Sequence, residues 1–188
     1  MDVRRATAGD APMVVNVARE AWHEAYEGIL PAEVIDRTLD EWYDEETIRA
    51  EIDGEDPFYV GADASEIVAF AHGGVDGEGR AILHRIYARR VFWYSGIGSW
   101  LLAAVAANLW DAGHEELRAV VLADNRVGRK FYEARGFEEV ERRSARFGET
   151  TAEEFVLAAP LESLFDRERG YVDRVRPEHE GSKRKSYP

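Results

Sequence analysis

Two glycines, Gly96 and Gly98, stand where a strand-like run gives way to a helix-like one in VFWYSGIGSWLL, residues 91 to 102. Glycine lets a backbone approach a ligand closely. A helix N-terminus adds unpaired N–H groups and the positive end of a dipole. The pair is suited to cradling a phosphate, although glycines also open helices that bind nothing. Two nucleotide-binding patterns are excluded by the neighbours. Gly98 is followed by Ser99 and Trp100 rather than by the Lys-Ser/Thr of a P-loop. Leu101 holds the place of the third glycine in a dinucleotide fingerprint. The chain has no cysteine, so disulfides, thiolate zinc sites and a cysteinyl acyl intermediate are excluded.

The elements that must position this turn follow from periodicity. DVRRA reads as a first strand. Thr7 and Asp10 form a capping-box pattern, with Asp where Glu or Gln is usual. The helix it opens runs to about Tyr26, with Val14, Val17, Ala18, Ala21 and Ala25 as its apolar stripe. PAEVIDRTLDEWYDEETIRAEI gives one or two acidic amphipathic helices, with Pro31 in a first turn. PFYVGAD and EIVAFAHGGV flank a turn and predict a hairpin. GRAILHRIYA leads into the glycine pair, and an apolar helix follows from about Gly96 to Ala112. ELRAVVLA is a strand, and NRVGRKFYEARGF a helix ended by Gly136. FEEVERR and TTAEEFVLAAPL complete the order βααβββαβαββ. That is an α+β, mixed-sheet plan rather than a strict βα alternation.

Composition bounds the function. A chain of 188 residues fits one domain, expected over residues 1–162. A charged tail over 163–188 is expected to be extended or disordered, the composition shifting from Asp166. The net charge of −13, with 37 acidic against 24 basic residues, argues against a general nucleic-acid binder. The longest apolar run, Trp100 to Ala107, is far short of a membrane span, and the N-terminus lacks a signal-peptide plan. A cytoplasmic protein is expected. Only three of the basic residues are lysines, Lys130, Lys183 and Lys185. High acid with scarce lysine fits a salt-loving archaeon, where screening weakens self-repulsion. A GC-rich genome encoding an ordinary acidic protein is the alternative.

Two motifs on this element order resemble the GNAT acetyltransferase superfamily. One is LHRIYARRVFWYSGIGSWLL, a strand, a basic connection and the glycine turn into a helix. The other is DNRVGRKFYEARGF, with Asn125, then Phe131-Tyr132, then Gly136-Phe137. AWHEAYEGILP is similar to the first helix and linker of such enzymes, and the resemblance covers about residues 2 to 160. It implies a single domain with a mixed, mostly antiparallel twisted sheet flanked by helices. It also implies acetyl-coenzyme A as cofactor and an amine, small or protein-borne, as acceptor. No nucleic-acid or membrane partner is implied; a homodimer is allowed. By resemblance, Trp93, Tyr94, Ser95, Gly96, Ile97, Gly98 and Ser99 surround the pyrophosphate. The backbone of Ile86, Tyr87 and Ala88 pairs with the pantetheine arm, and Asn125 and Arg129 also bind the cofactor. Tyr132 assists the departing thiolate, while Trp22 and Tyr26 wall the acceptor pocket.

The sequence departs from the family pattern twice. Trp93 replaces the usual Gln or Arg, leaving backbone amides to carry the phosphate, with Arg89 and Arg90 as outer charges. Ile82 holds the place of a frequent general-base Glu. Strand alternation puts His84 on the face of Ile82 and Ile86. A neutral imidazole can accept a proton from an ammonium near neutrality, which makes His84 the candidate base. His72 and Glu24 are lesser alternatives. A non-catalytic acyl-coenzyme A sensor that keeps the fold is the rival reading, and Ile82 is its support.

Overall fold

The computed structural model describes residues 1–165, and the expected tail from 166 onward lies outside the described residues. Seven strands make one sheet: β1 (Asp2–Arg5), β2 (Phe58–Asp63), β3 (Glu66–Val75), β4 (Ala81–Ala88), β5 (Glu116–Leu122), β6 (Glu138–Phe147) and β7 (Thr150–Pro160). Five helices flank it: α1 (Ala11–Tyr26), α2 (Ala32–Trp42), α3 (Glu45–Asp53), α4 (Ile97–Asp111) and α5 (Arg126–Glu133). The strand order is β1-β2-β3-β4-β5-β7-β6. All neighbours are antiparallel except β4 and β5.

The helices form where the sequence pattern asks for them. Thr7 and Asp10 cap reciprocally, the Thr7 N–H donating to Asp10 Oδ2 at 2.8 Å, and Asp10 also takes both forks of Arg4. Val14, Val17, Ala18, Ala21 and Trp22 of α1 are buried together. The acidic stretch splits into α2 and α3 because Asp44 accepts from the amides of Glu46 and Thr47, both at 3.1 Å, and so starts a new helix. One core lies between the sheet and α4, the other between the sheet and α1–α3. Leu164 and Phe165 pack on the α4 core, Phe165 against Trp110, so ordered structure continues past residue 162.

Two irregularities in β4 shape everything that follows. β4 and β5 pair only at Ile82–Arg118 and Leu83–Ala119, after which the strands part. On its other edge β4 carries a bulge: His72 opposes Arg85 but Gly73 opposes Leu83, leaving His84 as the extra residue. The bulge breaks side-chain alternation. Leu83 and Ile86 both face α4, while Arg85 and Tyr87 face α1–α3. His84 therefore does not share a face with Ile86, as alternation had implied. It lies with His72, whose ring centroid is 5.1 Å away.

Candidate active site

The parting strands open a cleft of about 500 Å³, reached by β4, the glycine turn, α5 and the end of α1. Arg89 donates its amide to the Val68 carbonyl of β3 at 3.0 Å. Bonded and non-bonded pairs alternate along an antiparallel ladder, so Arg85, Tyr87 and Arg89 turn their backbone groups to β3. Those of Ile86 and Ala88 face the gap. Tyr87 thus offers the cleft its side chain rather than its backbone. The Ala88 carbonyl is already taken, because the Trp93 indole donates to it at 3.0 Å. Trp93 ties the turn to the end of β4, which leaves the Ile86 amide and carbonyl and the Ala88 amide open to a ligand.

The glycine pair does two different jobs. Gly96, the N-cap of α4, has φ +92°, a conformation that side chains rarely adopt, and a Cβ there would meet nothing within 4 Å. A Cβ on Gly98 would fall 2.8 Å from Phe131 Cε2, so Gly98 lets α5 close on α4. Among the described residues, the amides of Tyr94, Gly96 and Gly98 find no acceptor. Ser95 Oγ takes the Ile97 amide at 3.4 Å. Three amides free at one turn and helix start form a nest for an anion. Tyr94 has φ 63° and is 92% exposed, a strained position at the mouth of the nest.

The charges around the nest differ from expectation. Arg89 pairs with Glu20 and Glu66, and Arg90 with Glu24, so neither is the free outer charge foreseen for the phosphate. Glu24, a lesser base candidate, is engaged by the same contact. Arg129 donates to the Ala123 carbonyl at 3.1 Å and lies over Phe155, away from the cleft. It shares a helix face with Glu133, four residues on, whereas Gly128, Phe131, Tyr132 and Arg135 face inward. Three cations line the cleft, Arg85, Lys130 and Arg135, and sequence reading singled out none of them; the last two lie on or just past α5. Arg135 stacks on Phe131 at 3.7 Å, donates to the Phe131 carbonyl at 2.6 Å and bonds Ser99 Oγ. It sits just past α5, inside the DNRVGRKFYEARGF stretch but at none of the positions that stretch was read for, one turn after Phe131 on the same face.

The candidate catalytic groups, Tyr132 and His84, line the same cleft. Tyr132 is 7% exposed, its ring held edge-on by Phe131 and Phe137. Its hydroxyl has no hydrogen-bond partner among the described residues. Burial, and then Tyr26, push its pKa well up against the weaker pull of Arg135, so the proton stays on across the neutral range. His84 lines the other end of the cleft. Burial and then Arg85 lower its pKa, outweighing Asp56 and Asp76, so the imidazole is neutral at pH 7 and can accept a proton. His72, at 6% exposure, is pushed down to about 3 by burial first and then by His84 and Arg85.

Asn125 is the N-cap of α5, accepting from the Gly128 amide at 2.9 Å, and it also borders the cleft. Tyr26 reaches the cleft, its hydroxyl 3.1 Å from that of Tyr87. Trp22 does not line it. Its indole donates to the Tyr43 hydroxyl at 3.0 Å inside an aromatic cluster, which makes it core rather than pocket wall. Among the described residues no helix is long and apolar enough to cross a membrane.

A gap flanked by free strand amides, ending at an anion nest with two cations, fits acetyl-coenzyme A: an amide-bearing arm along β4 and a pyrophosphate at α4. Comparisons with known proteins agree. A model of the acetyltransferase (GNAT) family matches residues 17–137. A spermidine N(1)-acetyltransferase of Thermoplasma acidophilum is 29% identical over 168 residues, spanning 87% of this chain and 99% of that one. The crystal structure of the paia N-acetyltransferase of Thermoplasma acidophilum in complex with coenzyme A matches with a TM-score of 0.74 at 25% identity, over 85% of this chain and 98% of that one. The ribosomal-protein-S18-alanine N-acetyltransferase of Escherichia coli shares the fold, with a TM-score of 0.64 at 21% identity over 85% of this chain and 92% of that one. With the family model spanning both the glycine turn and the Tyr132 helix, the chain belongs to the acetyltransferase (GNAT) family and uses acetyl-coenzyme A.

Proposed function

We propose that the chain transfers the acetyl group directly to a primary amine of a small polyamine, with His84 as base and Tyr132 as acid. One observation carries the reading: His84 and Tyr132 border a single cleft that opens where β4 leaves β5. The spermidine acetyltransferase relative supports the acceptor class. When bound, acetyl-coenzyme A supplies an acyl group activated as a thioester. The open β4 amides hold the arm that carries it and place a donor near the acyl oxygen. Neutral His84 takes the proton of the attacking amine. Tyr132, kept protonated by burial, gives its proton to the departing sulfur. Lys130, Arg135 and the amides of the turn hold the phosphates.

The test is a panel of polyamines, amino acids and N-terminal peptides with a free-thiol readout. Turnover is expected with polyamines. Tight coenzyme A binding with no turnover on any amine would favour the sensor reading instead. His84→Ala is expected to cut turnover most below neutral pH. There the amine is fully protonated and needs a base, and His84, with its lowered pKa, is still largely neutral. Above the amine's own pKa the loss should shrink. Superimposable pH–rate profiles of equal height would make His84 structural.

The acidic, arginine-rich composition supports a salt-rich cytoplasm as the working environment. The melting temperature is expected to rise as KCl goes from low to molar concentration. A flat or falling trend would contradict this.

A further inference from the structure

Gly61 lies inside β2, where a glycine weakens a strand and packs nothing of its own. Its backbone does not ask for glycine, because Gly61 is not among the residues with positive φ. Room is the reason. A Cβ on Gly61 would fall 2.7 Å from Cγ1 and 2.8 Å from Cδ1 of Ile97. A register shift in the β2–β3 pairing leaves Val68 as the extra residue and sets Gly61 against Ala69. Ala69 belongs to the core under α4, and its Cβ stands 3.4 Å from where a Cβ of Gly61 would be. The two small positions make a socket in the sheet, and Ile97 fills it.

Ile97 opens α4 and is 1% exposed. It stands between Gly96 and Gly98, whose amides are two of the three left open in the nest among the described residues. Its own amide is held by Ser95 Oγ. A β-branched side chain has one strongly preferred χ1 in a helix, and a packed core leaves no space for it to swing into. A methyl group at position 61 would therefore have to move the start of α4 rather than the side chain alone. The retreat needed is about 1 Å, which restores ordinary contact between carbons at about 3.5–4.0 Å. Hydrogen bonds to phosphate weaken over such a distance.

We infer that Gly61 is a positioning residue for the cofactor: it admits Ile97 into the sheet and so fixes where the Gly96 and Gly98 amides meet the pyrophosphate. No residue of β2 is among the described residues that line the cleft, so Gly61 acts only through Ile97. The inference concerns the cofactor and does not depend on the acceptor class proposed above.

Calorimetric titration reads the effect without turnover. Gly61→Ala is expected to weaken coenzyme A binding about tenfold, the scale of one lost hydrogen bond to a charged group. S-acetylpantetheine carries the thioester and the amide-bearing arm but no phosphate, so its binding should stay within about twofold of wild type. A general loosening of the fold would weaken both ligands alike. Ile97→Ala removes the two atoms that a Cβ at position 61 would strike. The double variant Gly61→Ala/Ile97→Ala should therefore bind coenzyme A within about threefold of Ile97→Ala alone, as a direct contact between the two positions requires. That comparison still decides the matter if Gly61→Ala by itself does not fold. Wild-type coenzyme A affinity in a folded Gly61→Ala protein, equal losses for coenzyme A and S-acetylpantetheine, or a double variant that binds more than about threefold weaker than Ile97→Ala would each overturn the inference.

Discussion

Tyr132→Phe is expected to lower turnover roughly 10- to 1,000-fold while acetyl-coenzyme A affinity stays within about twofold. The change removes one oxygen and keeps the ring that Phe131 and Phe137 hold edge-on, so packing survives. That oxygen has no partner among the described residues to lose. Its proposed contact is to a sulfur that gains charge only as the C–S bond breaks, and an interaction made chiefly in the transition state appears in kcat. The loss should shrink with a thioester whose thiol has a lower pKa, because that leaving group needs less help. Steady-state kinetics beside calorimetric coenzyme A binding decide the matter. Turnover within twofold of wild type, or a loss carried wholly by weaker binding, would remove Tyr132 from the chemistry.

Gly96→Val is expected to weaken coenzyme A binding on the order of 100-fold, from the loss of charge-assisted amide bonds to phosphate. A Cβ at this position meets nothing within 4 Å, so the fold should hold. Valine strongly disfavours φ +92°, however, and the turn must move. Gly98→Val differs in kind. Its side chain strikes Phe131, displaces the last turn of α5 and disturbs Tyr132 next to it, so both stability and turnover should drop. Wild-type affinity in a folded Gly96→Val protein would show that the nest does not hold the cofactor.

The element order was legible because each helix and strand carries its own period. The α1 stripe and the apolar α4 are local patterns, and their burial follows them. The split of α2 from α3 turns on Asp44, whose capping role shows only once its side chain meets the Glu46 and Thr47 amides. The site was half legible. The glycine turn, Asn125 and Tyr132 fall in local motifs. The bulge at His84 does not, because it is fixed by register against His72 and Gly73 on another strand. The same limit hid the engagement of Arg89 and Arg90 by α1 glutamates, the Trp93 bond to Ala88 and the inward turn of Arg135. Each depends on which elements meet, and a one-dimensional pattern carries no such information.

The central claim is direct acetyl transfer to an amine. It is tested most directly by mixing the protein with acetyl-coenzyme A and spermidine and following both products by mass spectrometry during initial-rate measurements. Acetylated spermidine should appear with one free thiol per acetyl group. The initial-rate lines for the two substrates should intersect, as a ternary complex requires, and no acetyl group should remain on the protein. Free thiol without acetylated amine, or parallel lines with an acetylated protein intermediate, would contradict it.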